Sequence, residues 1–110
     1  MEDDTFFIEN VNRVIEKHLS SHKMKGSFIA HELSISRMQL YRKLKKITFQ
    51  DARTYILSKR IAYAKRELKQ TSKYVYQIAK NCGFKDYTYF SKSFKKQVGV
   101  SPTEFRRREK

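Results

Sequence analysis

The sequence predicts an all-α fold of about seven helices, and three observations predict it. Glycine and proline are scarce, three and one in 110 residues. No run of strict apolar–polar alternation is long enough to make a sheet. The stretch from Asp51 to Gln70, DARTYILSKRIAYAKRELKQ, contains neither breaker and is dominated by Ala, Leu, Lys, Arg and Glu, so it reads as one long helix. Leu57, Ile61, Ala64 and Leu68 recur on one of its faces. Ala52, Tyr55, Ile56 and Tyr63 add a second apolar strip, so the two ends of this helix can pack against different partners.

Three helices precede it. Residues 1–4 read as an acidic linker or tail, and residues 5 to about 20 as the first helix, with Thr5 as its cap. Phe6, Ile8, Val11, Val14, Ile15 and Leu19 form its apolar stripe. A polar, basic connection over residues 21–26 turns the chain. Ser27 to Leu33 is a short helix with Phe28, Ile29, Ala30 and Leu33 inward, ending in a turn at Ser34 and Ile35. Ser36-Arg37-Met38-Gln39 then has the capping-box pattern and opens a third helix that runs to about Lys46. Leu40, Leu44 and Ile47 point inward. Arg37, Met38, Tyr41, Arg42 and Lys45 point outward, flanked by Lys43 and Lys46, so five basic residues and no acid lie between Ser36 and Lys46. A helix, a short turn and a second helix with a basic polar outer face is the layout of a helix-turn-helix.

The same order follows the long helix. Thr71 to Lys73 is a polar break, with Ser72 a candidate cap, and Tyr74 to Cys82 a short helix with Val75, Ile78, Ala79 and Cys82 inward. Gly83-Phe84 makes the turn, where glycine permits positive φ. Asp86 caps the next helix, which runs to about Val98 with Phe90, Phe94 and Val98 inward and Tyr87, Thr88, Ser91, Lys92 and Lys95 outward. Gly99 ends it. Ser101-Pro102-Thr103-Glu104 starts a last helix with proline at the first position and a second capping box. Phe105 docks that helix, and Arg106, Arg107 and Arg108 extend it as a basic tail.

The two halves align as an internal repeat. At an offset of 49, Ile29-Ala30 meets Ile78-Ala79, Leu33 meets Cys82 and Ile35 meets Phe84. One extra residue in the second turn makes the offset 50, and Ser36 meets Asp86, Leu40 meets Phe90, Leu44 meets Phe94, Lys45-Lys46 meets Lys95-Lys96, Asp51-Ala52 meets Ser101-Pro102 and Tyr55 meets Phe105. The organisation this implies is a first helix-turn-helix subdomain over residues 5–50, a linker helix over 51–70 and a second subdomain over 71–110.

Charge decides what such a pair would meet. The formal net charge is +14 and the isoelectric point is near 10, which favours a polyanionic partner. Four of the eleven acids, Glu2, Asp3, Asp4 and Glu9, precede the first basic residue, Arg13, so the rest of the chain is more basic than its average. At about 1.5 Å per residue the long helix spans ~30 Å, close to one turn of duplex DNA at roughly 34 Å. Two recognition helices on such a strut would enter successive major grooves, and because the units point the same way along the chain the site need not be palindromic.

Other function classes find less support. His18 and His22 are four apart, but no third ligand joins them in sequence. No glycine-rich phosphate loop is present. The Ser and Asp residues fall at cap positions, so an enzyme is not expected and neither a cofactor nor a metal is implied. Cys82 is the single cysteine, unable to pair within the chain, and reads as a buried free thiol. No apolar run approaches a membrane span and no signal peptide precedes the first helix, so the expected compartment is a reducing cytoplasm. A nonspecific, charge-driven nucleic-acid-binding protein is the main alternative, and its mark would be binding with little sequence discrimination and steep salt dependence. A basic membrane-surface or protein-interaction module would leave one continuous apolar face exposed, whereas the apolar residues here repeat as small cores.

The run Ile78-Ala79, Gly83-Phe84, Asp86, Tyr89-Phe90-Ser91, Phe94-Lys95-Lys96, Gly99, Ser101-Pro102 and Phe105-Arg106 closely resembles the signature of the AraC/XylS family of bacterial transcription regulators. The first half matches through Ser36-Arg37, Leu40-Tyr41-Arg42-Lys43-Leu44-Lys45, Tyr55-Ile56, Arg60-Ile61, Ala64 and Leu68, and the resemblance covers about residues 6 to 108. The Leu-Tyr-Arg-Lys-Leu-Lys wording is most similar to the effector ends of hybrid two-component regulators. The resemblance implies sequence-specific binding of double-stranded DNA and regulation, including activation, of transcription on a bacterial chromosome, with RNA polymerase as a further partner and the isolated domain a monomer. It implies base contacts from Met38, Tyr41 and Arg42 in the first unit and from Tyr87, Thr88, Ser91 and Lys92 in the second. It implies backbone contacts from Arg37, Lys43, Lys45, Lys46, Lys95 and Lys96. Two departures stand out. Phe49 occupies a position where the family usually has glycine, and Cys82 one where it usually has an aliphatic residue.

Several of these residues carry a second reading. Arg42 can bond guanine O6 and N7 bidentately, or meet phosphate or solvent, because most protein–DNA hydrogen bonds go to the backbone. Tyr41 and Tyr87 can contact thymine methyls or phosphates, or close the edges of the small cores. Lys92 suits a phosphate better than a base. Arg60 can pair with Asp86 across the subdomain interface or be solvated.

Overall fold

A computed structural model describes residues 2–109. Among the described residues there are seven helices and no strand: α1 (Glu2–Lys17), α2 (Gly26–Glu32), α3 (Arg37–Thr48), α4 (Ala52–Gln70), α5 (Val75–Asn81), α6 (Tyr87–Val98) and α7 (Pro102–Glu109). The chain divides into two compact units, Met1–Leu57 and Ser58–Lys110, so the division falls inside α4 rather than at either of its ends. Met1 and Lys110, the outer ends of the expected tail and second subdomain, lie outside the described residues.

The first unit packs α1, α2, α3 and the start of α4 around Val11, Ile15, Ile29, Ala30, Leu40 and Leu44, with Ala52, Tyr55 and Ile56 closing the core. Tyr55 also donates its hydroxyl to Asn12 Oδ1 at 2.6 Å, tying α4 to α1. The start of α1 differs from the sequence reading. Residues 2–4 are helical rather than a tail, and Thr5 lies inside the helix rather than capping it. Asp3 and Asp4 in the first turn suit the positive end of the helix dipole. The helix also ends sooner, at Lys17, and continues as a turn over residues 18–20. Its stripe shifts by one residue at the N-terminal end: Phe7 is buried and Phe6 is 65% exposed, because Phe7, Val11 and Ile15 stand four apart on one line. His18 stacks edge-on against Phe28 at 4.9 Å and lies 3.9 Å from Glu32, so it serves the α1–α2 contact.

The second unit buries Ile61, Ala64 and Leu68 of α4 together with Ile78 and Ala79 of α5 and Cys82 at its C-cap. Phe84, Phe90, Phe94 and Phe105 form a chain of rings 5.1–5.9 Å apart. Leu57, expected on the same α4 face, is half-buried. The cap of α5 is Tyr74, with no side-chain cap bond, and not Ser72. The preceding Thr71 turns back instead, its hydroxyl donating to Glu67 O at 2.8 Å.

The repeat holds at the level of single backbone bonds. Ile35 N donates to Ala30 O at 3.0 Å, and Phe84 N to Ala79 O at 3.0 Å. Ser34 and Gly83, 49 apart, both take positive φ, 57° and 97°. Fifty apart, Phe49 N donates to Lys45 O at 2.9 Å and Gly99 N to Lys95 O at 2.8 Å. Asp51 and Ser101 cap α4 and α7 through Thr54 N at 2.8 Å and Glu104 N at 3.1 Å. Each unit therefore sets its turns and its outer helix by the same backbone hydrogen bonds, while core, cap and outward side chains differ between the two.

Candidate nucleic-acid interface

Helix α3 is started by a complete capping box. Gln39 N donates to Ser36 Oγ at 3.1 Å and Ser36 N to Gln39 Oε1 at 3.1 Å, satisfying two otherwise orphaned donors. With Leu40 and Leu44 fully buried, the 100° step of the helix turns Met38, Arg42, Lys45 and Lys46 to the opposite side. All four are exposed, Met38 at 69%, as is Arg37 at the start of the helix. The lysine pair in the last turn complements the negative end of the helix dipole, a structural role it has beside any role toward a ligand.

Tyr41 sits on the flank, and both of its readings have a basis. It is partly exposed, while its ring covers the start of α2 so closely that a methyl group at Gly26 would lie 2.5 Å from Tyr41 Cε1. Lys43 is exposed on the flank of α3. Its ammonium lies 5.0 Å from the centre of the Phe7 ring, on the side of α3 that meets α1. There it lines a cleft of about 230 Å³ with Asp3, Phe6, Phe7, Asn10, Leu33 and Ile35. A 100° step from Arg42 carries it away from the outer face.

Helix α6 is the second copy with different side chains. Asp86 caps it by accepting from Thr88 N at 2.8 Å. Phe90 and Phe94 are buried, and Thr88, Lys92, Lys95 and Lys96 are exposed opposite them. Ser91 is half-buried. Tyr87 is 44% exposed while its ring lies 5.9 Å from that of Phe90, so it borders the core and faces outward at once. Tyr89 is also exposed, three residues before Lys92, and rests against Phe84 at 5.8 Å.

The charges around these helices fall into held and presented ones. Arg106, read as part of a basic tail, is half-buried and donates to Leu68 O at 3.1 Å, Thr71 O at 3.2 Å and Lys73 O at 2.7 Å. Arg107 and Arg108 pair with Glu104. Arg60 and Asp86 both lie in the second unit. Burial pushes the Arg60 guanidinium down from its ordinary value, opposed by Cys82 and Tyr89 beside it. Asp51 is held below its usual 3.8, first by the Thr54 backbone and hydroxyl bonds and then by the charges of Lys45 and Arg53. Among the described residues no group of three His, Cys, Asp or Glu side chains is placed to hold a metal ion. No helix among them is long and apolar enough to cross a membrane.

Comparison with known proteins matches residues 29–108 to the helix-turn-helix domain family. The chain is 35% identical over 78 residues to the HTH-type transcriptional activator RhaS of Mannheimia succiniciproducens, covering 71% of this chain and 29% of that protein. It resembles the solved structure of an AraC-type DNA-binding-domain regulator from Chromobacterium violaceum, with a TM-score of 0.89 at 26% identity over 99% of this chain and 96% of that one. It also resembles the C-terminal domain of the two-component response regulator yesN from Fusobacterium nucleatum, with a TM-score of 0.79 at 31% identity over 89% and 95% of the two chains. The chain spans about a third of the length of the curated relatives it matches, between 29% and 41% for the first three.

Proposed function

The chain belongs to the AraC-type helix-turn-helix family, and from that premise we propose that it binds double-stranded DNA sequence-specifically and regulates transcription. The observation that carries this reading is the pair of capped helices, α3 and α6, each anchored by two buried apolar residues and each turning a different basic, polar face outward. Shared frames with different faces suit two half-sites of different sequence. The N-terminal half of each helix supplies base contacts, from Met38, Tyr41 and Arg42 and from Tyr87, Thr88, Ser91 and Lys92. Arg37, Lys45, Lys46, Lys95 and Lys96 supply phosphate contacts. Lys43, exposed with its ammonium near the Phe7 ring, is the sixth of that set. Reading of successive major grooves is part of this proposal and rests on the length of the 19-residue α4 that the two units share.

RNA polymerase is the protein partner such a regulator acts on, the bacterial chromosome in the cytoplasm is its place of action, and the isolated domain is a monomer. The likeness to a response-regulator C-terminal domain supports a place at the effector end of a two-component system.

The test is selection of bound duplexes from a random pool at near-physiological salt, with Arg42→Ala and Lys92→Ala beside the wild type. Two short enriched motifs about one helical turn apart are expected, each variant losing one of them. Binding without enrichment, falling uniformly as salt rises, would leave a nonspecific polyanion binder instead.

A further inference from the structure

Phe49 ends α3 in the left-handed region, φ 62° and ψ 17°, with 83% of its surface exposed. A bulky side chain at that φ is strained, and its ring gains nothing from burial. The turn nevertheless holds it there. Phe49 N donates to Lys45 O at 2.9 Å, Thr48 Oγ1 to Leu44 O at 2.7 Å, and Gln50 N to Thr48 Oγ1 at 3.1 Å. The second repeat supplies a control within the same molecule. Gly99 makes the same bond in the same region, φ 99° and ψ −16°, with nothing near it that would exclude a side chain. Glycine therefore serves this turn well, and neither the turn nor burial accounts for the phenylalanine at Phe49.

Its neighbours indicate what. Lys45 and Lys46 precede it and Arg53 follows it, all exposed. The one acid among them, Asp51, is engaged at Thr54 N. The residue stands at the C-terminal end of a helix whose N-terminal half carries the base-facing side chains, where a helix lying in a major groove returns to the phosphate backbone. An apolar ring between cations fits the alternation of that backbone, the ammonium groups meeting phosphates and the ring meeting the C–H face of a deoxyribose.

We infer that Phe49 is a DNA-backbone contact that packs on a deoxyribose beside the phosphates held by Lys45 and Lys46. This rests on the DNA-binding reading above. The contact adds affinity at the first half-site without reading its sequence, and the second repeat, with Gly99, lacks it.

The test compares wild type with Phe49→Gly, Phe49→Asn and Phe49→Tyr on a duplex enriched by the selection, using fluorescence anisotropy at several salt concentrations, thermal unfolding and hydroxyl-radical footprinting. The Gly and Asn variants should unfold at higher temperature yet bind roughly 3- to 10-fold more weakly. The salt slope should not change, because no charge is removed. Phe49→Tyr should keep the affinity, and protection of one or two sugars at the edge of the first half-site should disappear only without a ring. Wild-type binding matched by the Gly and Asn variants would overturn the inference alone and leave the ring to a protein partner. A wild type that leaves no footprint on any duplex would overturn it together with the function it rests on.

Discussion

Arg106 Nη1 donates to the carbonyl of Lys73 at 2.7 Å, across 33 residues of sequence. The other two guanidinium nitrogens reach Leu68 O and Thr71 O. One side chain of α7 thus satisfies the carbonyls that the end of α4 and the following loop leave without helical partners. The planar fork suits this, since its donors diverge in one plane toward several acceptors.

Arg106→Ala should therefore destabilise the chain by about 1.5–3 kcal/mol, the range for hydrogen bonds that involve a charged group. Arg106→Lys should recover less than half of that, because a single ammonium cannot span three carbonyls. Urea unfolding measures both. If the two variants unfold like wild type, Arg106 is a surface charge as the basic-tail reading had it.

Gly26 and Tyr41 set a second expectation. In Gly26→Ala the new methyl group would fall 2.5 Å from Tyr41 Cε1 and 2.7 Å from its hydroxyl. The exposed ring can swing outward. Helix propensity gains up to about 1 kcal/mol from alanine, offset by lost ring packing, so stability should change by less than about 1 kcal/mol. DNA affinity should fall several-fold if the tyrosine acts from its present position. Anisotropy beside thermal unfolding separates the two effects, and unchanged binding would assign Tyr41 to the edge of the core.

Burial pushes the Cys82 thiol from 9.0 up to about 12. A disulfide reagent at pH 8 should leave the native protein unlabelled and label it on unfolding. The neutral thiol is the form the fold favours. Its contribution is complete below pH 9 and declines between pH 9 and about 12, where the unfolded thiol ionises first. Cys82→Ala should be about 1 kcal/mol less stable at pH 7 and lose less stability over that alkaline range. Urea unfolding from pH 7 to 11 reads the difference, and parallel curves would contradict it.

Much of this molecule was legible because it is helical and repeated. Leu40, Leu44, Phe90 and Phe94 follow from spacing, and Ser36, Asp86 and Ser101 from cap chemistry, both of which are local. The first turn of α1 was misread because acids alone do not reveal whether a segment is tail or helix. Phe6 and Phe7 are adjacent and equally apolar, and only the line through Val11 and Ile15 decides between them.

By itself, then, the sequence determined the class, the seven helices, the repeat and the outward basic faces of α3 and α6, because helical period and capping act within a few residues. Tertiary structure alone decided what each cation lies against. Lys43 lies over Phe7, and Arg106 is committed to three carbonyls. It also decided that Phe49 stands exposed in a conformation its repeat partner assigns to glycine. The physical reason is the same in each case: a long side chain's partner is chosen by what the fold brings within reach, and sequence spacing carries no record of contacts made across tens of residues.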